Sequence, residues 1–215
     1  MASAQDPLAY LELVDWRRRV GDIYRLSGAD AIERFRVERD RLFAKHPQSP
    51  LPEAHRAAFT GLQYFDPDPA YRVSARLHEP DPDLEPVIEI DTGGEDGVIT
   101  YRRAARVEFE IAGTPCSMTV LSIVGYAGGL FLPFRDATSG KQTYGGGRYL
   151  FDTIKNTDGH CLETVPGSTW VTLDFNYAYN PSCAYNHLWA CPLAPVENWL
   201  HVPVPAGEKG YEAPA

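Results

Sequence analysis

The stretch Arg106-Val-Glu-Phe-Glu-Ile111 decides the fold class, because its apolar and charged residues alternate without a break. Alternation with a period of two is typical of a strand that buries one face. The pattern recurs on both sides, in runs separated by Gly, Pro and Asp clusters that suit antiparallel hairpins. The other predicted strands are Arg72–His78, Val87–Ile90, Val98–Tyr101, Ser117–Val124, Leu130–Phe134, Arg148–Ile154 and Trp170–Phe175.

The ends of the chain have different patterns. Residues 8–26 and 30–45 repeat apolar residues at helical spacing, which predicts two amphipathic helices. Asp30 is the predicted N-cap of the second helix, with Glu33 at the capping-box spacing. After Pro181 proline is too frequent for a central strand, which predicts an irregular wrap.

These elements predict an α+β fold that is mainly antiparallel β, either a sandwich or a partly open barrel. Two N-terminal helices precede the sheet, and an irregular Pro-rich C-terminal wrap follows it. Strands and helices do not alternate regularly, so a doubly wound parallel sheet is disfavoured. With 215 residues, we expect an N-terminal helical segment, residues 1–50, packed on a β-rich core domain, residues 51–215, as one compact unit.

The composition limits the classes of partner. The net charge is −9, and the acidic chain has no basic stripe, which argues against nucleic acid and anionic membrane surfaces. No apolar run is long enough to cross a bilayer, and residues 1–6 do not resemble the start of a signal peptide. We therefore expect a cytoplasmic protein with four free thiols and a small-molecule ligand. The oligomeric state stays open.

Three pairs of segments resemble one known family, and they are Phe35–Leu51 with Phe59–Phe65, Pro133–Gly140 with Thr143–Leu150, and Asp174–Tyr185 with Cys191–Asn198. In that order they resemble the bacterial and archaeal family known only as domain of unknown function 1684 (DUF1684). The resemblance implies positions of interest rather than a mechanism. The chain departs from the family pattern in its extra N-terminal helix, in the long segment Asp152–Thr169 with His160 and Cys161, and at His187.

Polar residues of the second and third segment pairs gather where predicted strands end. In Trp170-Val-Thr-Leu-Asp-Phe-Asn176 the side chains of Thr172, Asp174 and Asn176 share one face. That face either lines a pocket or is solvated and ties down neighbouring backbone. In the pocket hypothesis Asp174 or Tyr179 transfers protons. The predicted substrate-binding residues are Arg135, Tyr144, Arg148, Tyr149, Asn176, Asn180 and Tyr185.

Arg135 and Arg148 are the last two arginines of the chain and flank a Gly-rich loop. A guanidinium fork suits a carboxylate or a phosphate. The alternative is a structural ion pair with Asp136 or Asp174, because buried charges usually have protein partners. The three glycines Gly145–Gly147 in this loop predict special backbone angles, or a close approach of a ligand or a strand to the backbone.

The cysteines allow four interpretations. Cys183, His187 and Cys191 have the spacing C-x3-H-x3-C and could hold zinc or copper, with Cys161 or His201 as a fourth ligand. Cys183 could instead be a nucleophile with a His as its base, or an inert buried thiol. A Cys183–Cys191 disulfide fits the separation but not the expected compartment.

The sequence thus leaves three function hypotheses. The first is a small-molecule pocket protein, with or without catalysis, that acts on an anionic metabolite bearing a carboxylate or phosphate. The second is a non-catalytic ligand-binding or interaction module, and the third is a Cys/His transition-metal protein. Glu197 is either a general acid or base or, with Asn198, a pin for the C-terminal wrap.

Overall fold

A computed structural model describes residues 7–94 and 97–214. Its longer helices are α1 (Pro7–Tyr24) and α2 (Ala31–Lys45), and a short α3 (Glu53–Arg56) follows. The strands are β1 (Arg72–His78), β2 (Val87–Asp91), β3 (Val98–Ile111), β4 (Thr114–Ile123), β5 (Leu130–Phe134), β6 (Arg148–Asp152), β7 (Leu162–Thr164) and β8 (Trp170–Asp174). Short 3₁₀ turns connect several of these elements.

The strands form one antiparallel sheet with the order β6-β5-β4-β3-β1-β8-β7, and β2 pairs with β3 outside this path. A backbone bridge between Tyr149 in β6 and Tyr179 after β8, with N–O distances of 2.8 and 3.0 Å, links the two sides. The sheet is therefore a nearly closed barrel. The predicted α+β, mainly antiparallel fold is confirmed in its partly open barrel form.

Several predicted strand bounds were wrong. Val98–Tyr101 and Arg106–Ile111 belong to a single strand, β3, which continues through an irregularity between Arg103 and Ala105. A bulge lets a strand bend and still keep its partner, so the break in alternation did not mark a turn. The sequence pattern also missed β7, which has only three residues.

The helices pack against the barrel. Val20 and Tyr24 of α1 and Phe35 and Leu42 of α2 are buried in the same hydrophobic cluster as the sheet residues. The predicted helix bounds are close to those of the structure. Asp30 is the N-cap residue of α2, but its side chain makes no capping hydrogen bond, so the predicted capping box was wrong. Its carboxylate lies 3.7 Å from Arg34 instead.

The C-terminal wrap has no strands after residue 174 in the described part of the chain, as the frequent prolines predict. It nevertheless buries Val204, Ala206 and Glu208. Gly207 has φ +73°, and a Cβ there would lie 2.6 Å from the Ala178 carbonyl oxygen. Only glycine allows this close approach, which brings Glu208 into the interior.

Among the described residues, no helix combines the length and the apolar character that a bilayer span requires. The N-terminal stretch on which the signal-peptide expectation rests, residues 1–6, lies outside the described residues.

Candidate functional site

Arg148 is committed to structural contacts. Its side chain is inaccessible to solvent, and Nη2 lies 2.9 Å from Oδ2 of Asp136. The guanidinium also donates to the backbone carbonyls of Val204, Ala206 and Glu208 in the C-terminal wrap. The structural alternative for this arginine, an ion pair with Asp136, is the arrangement that the structure has.

Arg135 is half-buried, and its guanidinium carbon lies 4.7 Å from the centre of the Trp199 ring, a cation–π contact. Arg148, in contrast, lies in the interior, so the two arginines do not converge on one site. In the loop between them, Gly147 meets the predicted need for glycine. It has φ +91°, and a Cβ would lie 2.5 Å from the Phe134 carbonyl oxygen.

Asp174 and Asn176 form a local capping turn. Oδ1 of Asp174 accepts hydrogen bonds from the backbone and the side-chain amide of Asn176. The Asn176 amide also binds both backbone groups of Asp68, at 2.9 Å each. Burial raises the pKa of Asp174, against hydrogen bonds that lower it. The side chains of Asp174 and Asn176 therefore hydrogen-bond to neighbouring backbone. This is the second of the two interpretations given for the alternating residues of this strand.

A buried polar cluster lies between α2 and the C-terminal wrap. Nη2 of Arg39 donates to Glu208 Oε2 at 3.1 Å and to the Tyr185 hydroxyl at 3.3 Å. The Tyr185 hydroxyl donates to the other Glu208 oxygen. Burial is the largest single effect on the pKa of Arg39 and lowers it, but Glu208 and the neighbouring tyrosines together raise the pKa of the guanidinium.

Tyr179 and Asn180 extend this cluster toward β6. The Tyr179 hydroxyl lies 2.9 Å from Oγ1 of Thr157, and burial raises the pKa of this phenol well above its usual value. The Asn180 backbone N–H donates to Glu208, and its side-chain amide donates to the Lys209 carbonyl at 2.7 Å. Tyr179 therefore stays protonated at neutral pH and takes part in hydrogen bonds rather than acting as an acid or a base.

A cavity of about 50 Å³ opens beside this cluster. Arg39, Tyr179, Asn180 and Tyr185 line its inner part. Lys155 lines it too, with 43% of its side chain exposed and its Nζ 3.6 Å from Asp152. A water molecule takes up about 30 Å³ in the liquid, so the cavity has room for one small polar group rather than for a whole metabolite.

Two buried polar atoms of residues that line the cavity have no hydrogen-bond partner, Nε of Arg39 and Oδ1 of Asn180. Both residues are nearly inaccessible to solvent, at 4% and 2% exposure. Buried polar atoms are usually paired, because an unpaired one costs roughly 1–3 kcal/mol. A donor and an acceptor are therefore left unpaired among the residues that line the cavity.

Tyr144 and Tyr149 lie beside the cysteines of the third segment. The Tyr144 hydroxyl is 3.7 Å from the Cys183 sulfur, and the Tyr149 hydroxyl donates to the Pro192 carbonyl at 2.6 Å. The Cys183 backbone N–H donates to the Cys191 sulfur at 3.3 Å. The predicted nucleophile Cys183 therefore lies beside the Cys191 sulfur and the Tyr144 phenol.

The proposed metal ligands do not come together. His187 and His201 are exposed, and Cys161 is buried, with its thiol donating to the Thr157 carbonyl at 2.8 Å. In the part of the chain that the structure describes, no three His, Cys, Asp or Glu residues are arranged to hold a metal ion. The zinc or copper hypothesis for Cys183, His187 and Cys191 thus has no geometric support.

Two further candidates have structural partners. Glu197 forms an ion pair with Arg103, with its Oε1 2.9 Å from Nε and 2.7 Å from Nη2. Nδ1 of His160 lies 3.6 Å from Glu163. Glu197 therefore anchors the wrap to β3, the structural role considered for it.

Sequence reasoning missed Arg39, Lys155 and Glu208. A signal existed for Arg39, because it lies at helical spacing between Phe35 and Leu42 on the buried stripe of α2. A charged residue in the middle of an apolar stripe needs a buried partner. The partner, Glu208, has no comparable signal, because it lies in the irregular wrap.

The comparisons with known proteins agree with this fold. The family model described as "Protein of unknown function (DUF1684)" matches residues 57–209. The match therefore contains Lys155, Asn180 and Glu208 but neither Arg39 nor the first motif Phe35–Leu51.

A solution NMR structure is also similar, that of the uncharacterized protein from gene locus rrnAC0354 of Haloarcula marismortui. It is 39% identical in sequence with a TM-score of 0.56, and the alignment covers 81% of this chain and 89% of that one. No curated protein sequence matches this chain significantly.

Proposed function

We propose that this chain, which belongs to the family of proteins of unknown function DUF1684, binds a small anionic molecule through the cavity beside Arg39 and Asn180. The cavity takes the carboxylate or phosphate group, and the remainder of the ligand lies at the mouth near Lys155 and Trp16. The ligand is a metabolite of the cytoplasm, where the sequence leads us to expect the protein.

The observation that carries this proposal is the pair of unpartnered polar atoms among the cavity-lining residues, Nε of Arg39 and Oδ1 of Asn180. An oxygen of an anionic group accepts from the guanidinium, and a protonated oxygen or an amine of the ligand donates to the amide. Charge-assisted hydrogen bonds of this kind contribute about 1.5–3 kcal/mol each. One ligand in the cavity would thus give both polar atoms a hydrogen-bond partner.

The charges of the lining support an anion rather than a cation. Arg39 and Lys155 line the cavity, and the described lining residues include no carboxylate. The carboxylate of Glu208 binds Nη2 of Arg39, and Nε has no partner within the protein. Glu208 thus orients the guanidinium, because a buried charge stays with its ion-pair partner.

The proposed role is binding rather than catalysis. Tyr179 stays protonated because burial raises its pKa, and its hydroxyl is paired with Thr157. Asp174 lies in its own capping turn with Asn176 and Asp68, apart from the lining residues of the cavity. We therefore assign no proton transfer to either residue. This favours the ligand-binding module among the hypotheses from the sequence.

The test is a binding screen of the purified full chain with small carboxylates, phosphate and phosphate esters, measured by thermal shift and then by calorimetry. For a ligand that binds, Lys155→Gln weakens the affinity about tenfold, the equivalent of about 1.4 kcal/mol. Lys141→Gln, which removes an exposed lysine of the loop after β5, is the matched control and leaves the affinity unchanged. Equal loss in both variants would contradict the proposal.

A further inference from the structure

Cys183 and Cys191 lie against each other although seven residues separate them. The Cys191 sulfur accepts a hydrogen bond of 3.3 Å from the Cys183 backbone N–H. The position of Cys191 is fixed on both sides, because its own N–H donates to the Thr92 carbonyl at 3.2 Å and the next residue, Pro192, binds the Tyr149 hydroxyl. The sulfur of Cys191 is thus held within reach of Cys183.

The two thiols also interact directly. A hydrogen bond between their side chains is the largest cause that lowers the pKa of Cys191 and raises the pKa of Cys183. The lowered pKa of Cys191 and the raised pKa of Cys183 favour the Cys191 thiolate as acceptor and the Cys183 thiol as donor. The backbone N–H of Cys183 and the nearby charge of Lys155 further stabilise the thiolate. The pair shares one proton and carries one negative charge more readily than two separate cysteines.

The two cysteines differ in their exposure to solvent. Cys191 is buried, with 3% exposure, whereas Cys183 is half-buried. A dissolved disulfide therefore reaches Cys183 first. Among the other cysteines, Cys116 is half-buried and Cys161 is buried, and both have raised pKa values because of burial.

From this geometry we infer that Cys183 and Cys191 are a thiol–disulfide exchange site for a low-molecular-weight disulfide such as oxidised glutathione. The Cys183 sulfur attacks the disulfide while its proton passes to the Cys191 thiolate, and one glutathione thiolate leaves. Cys191 then gives up this proton and attacks the Cys183 sulfur, which expels the second glutathione thiolate. The protein loses two electrons in forming one disulfide, and the small disulfide gains them in forming two thiols.

This inference is independent of the proposed anion site, since it uses no ligand of the cavity. Fast exchange needs a thiolate near neutral pH and a second thiol within reach of the mixed disulfide. Cys191 supplies the stabilised thiolate, and Cys183 supplies the accessible sulfur. Cys116 is the matched control, because it is also half-buried and its thiol donates to the Thr114 carbonyl rather than to a cysteine.

The test equilibrates the full chain with defined ratios of oxidised to reduced glutathione, blocks free thiols with N-ethylmaleimide and maps the peptides by mass spectrometry. We expect a Cys183–Cys191 disulfide that reverses on addition of reduced glutathione, while Cys116 and Cys161 stay as thiols. Free thiols at both positions in a large excess of oxidised glutathione, or a preferred adduct at Cys116, would overturn the inference. This result comes from the unmutated protein and does not depend on any variant folding.

Two variants test the order of events. Cys191→Ala removes the resolving sulfur, so a glutathione adduct accumulates at Cys183. Cys183→Ala removes the accessible sulfur, so no adduct forms at Cys191. An adduct at Cys191 in the second variant, or none at Cys183 in the first, would contradict the assigned roles.

Discussion

Arg148 and Asp136 form an ion pair inside the protein, with 2.9 Å between Nη2 and Oδ2 and almost no solvent exposure of either side chain. The pair joins the start of β6 to the end of β5 and, through the carbonyls of Val204 and Ala206, to the C-terminal wrap. Asp136 also accepts from the Val204 N–H at 3.1 Å. The wrap that supplies Glu208 to the polar cluster around Arg39 is therefore held by this pair.

Replacing Arg148 by methionine should lower the free energy of unfolding by about 3–5 kcal/mol, because it leaves a buried carboxylate without its partner. Equilibrium denaturation with urea measures the effect. Arg135→Met is the control, since it removes only a half-buried cation–π contact worth roughly 1 kcal/mol. Equal destabilisation by the two substitutions would show that the buried pair is not a main support of the wrap.

Asn198 is a second anchor of the wrap. Its fully buried side chain accepts from the Thr119 N–H at 2.7 Å and donates to the carbonyls of Thr119 and Pro133. Asn198→Ala should cost about 3 kcal/mol, because it leaves buried backbone groups without partners. Asn186→Ala, which removes an exposed turn contact, should cost less than about 1 kcal/mol. The same denaturation experiment compares them, and a small effect at residue 198 would refute this role.

The first proton of the Cys183–Cys191 pair should be lost at a lower pH than the proton of a free cysteine. The hydrogen bond from Cys183 lowers the pKa of Cys191, so ultraviolet thiolate absorbance of the folded protein should appear at lower pH than the usual value of about 8.5. Cys183→Ala removes the donor and should move this transition upward. Cys116→Ser should leave it in place. An unchanged transition in Cys183→Ala would show that the two thiols do not share a proton.

The same pKa shift has a consequence for stability. Because the folded-state pKa of Cys191 is lowered, its thiolate interaction adds stability as the pH rises toward the unfolded-state pKa, about 8.5. Above that value the raised pKa of Cys183 works against it. The contribution is lost as the pH falls through the folded-state pKa. The stability difference between the unmutated protein and Cys183→Ala should therefore shrink as the pH is lowered. Denaturation curves at several pH values measure it, and a difference that grows on acidification has the wrong sign.

Local periodicity predicted the elements of the fold, because burial of one face leaves a period of two or 3.6 in the sequence. It failed at β3, where a bulge interrupts the period without ending the strand. It also failed at β7, where three residues are too few to show a period. The capping box failed because the spacing of Asp30 and Glu33 does not fix the backbone angles of the cap.

The candidate site was only partly predictable, because its residues are distant in the chain. Tyr179, Asn180 and Tyr185 come from one segment whose polar character is visible in the sequence. Their partners Arg39 and Glu208 are 169 positions apart, and only the tertiary structure pairs them. The two arginines that attracted attention, Arg135 and Arg148, have structural partners instead.

The central claim is that an anionic group enters the cavity beside Arg39 and Asn180. The most direct measurement is an NMR titration of the nitrogen-labelled full chain with an anion that binds in the screen, following the Asn180 side-chain amide and the Trp16 indole. We predict that both signals shift together and saturate at one concentration, which is higher in Lys155→Gln. Saturable shifts confined to other parts of the protein, with these two signals unmoved, would contradict the account.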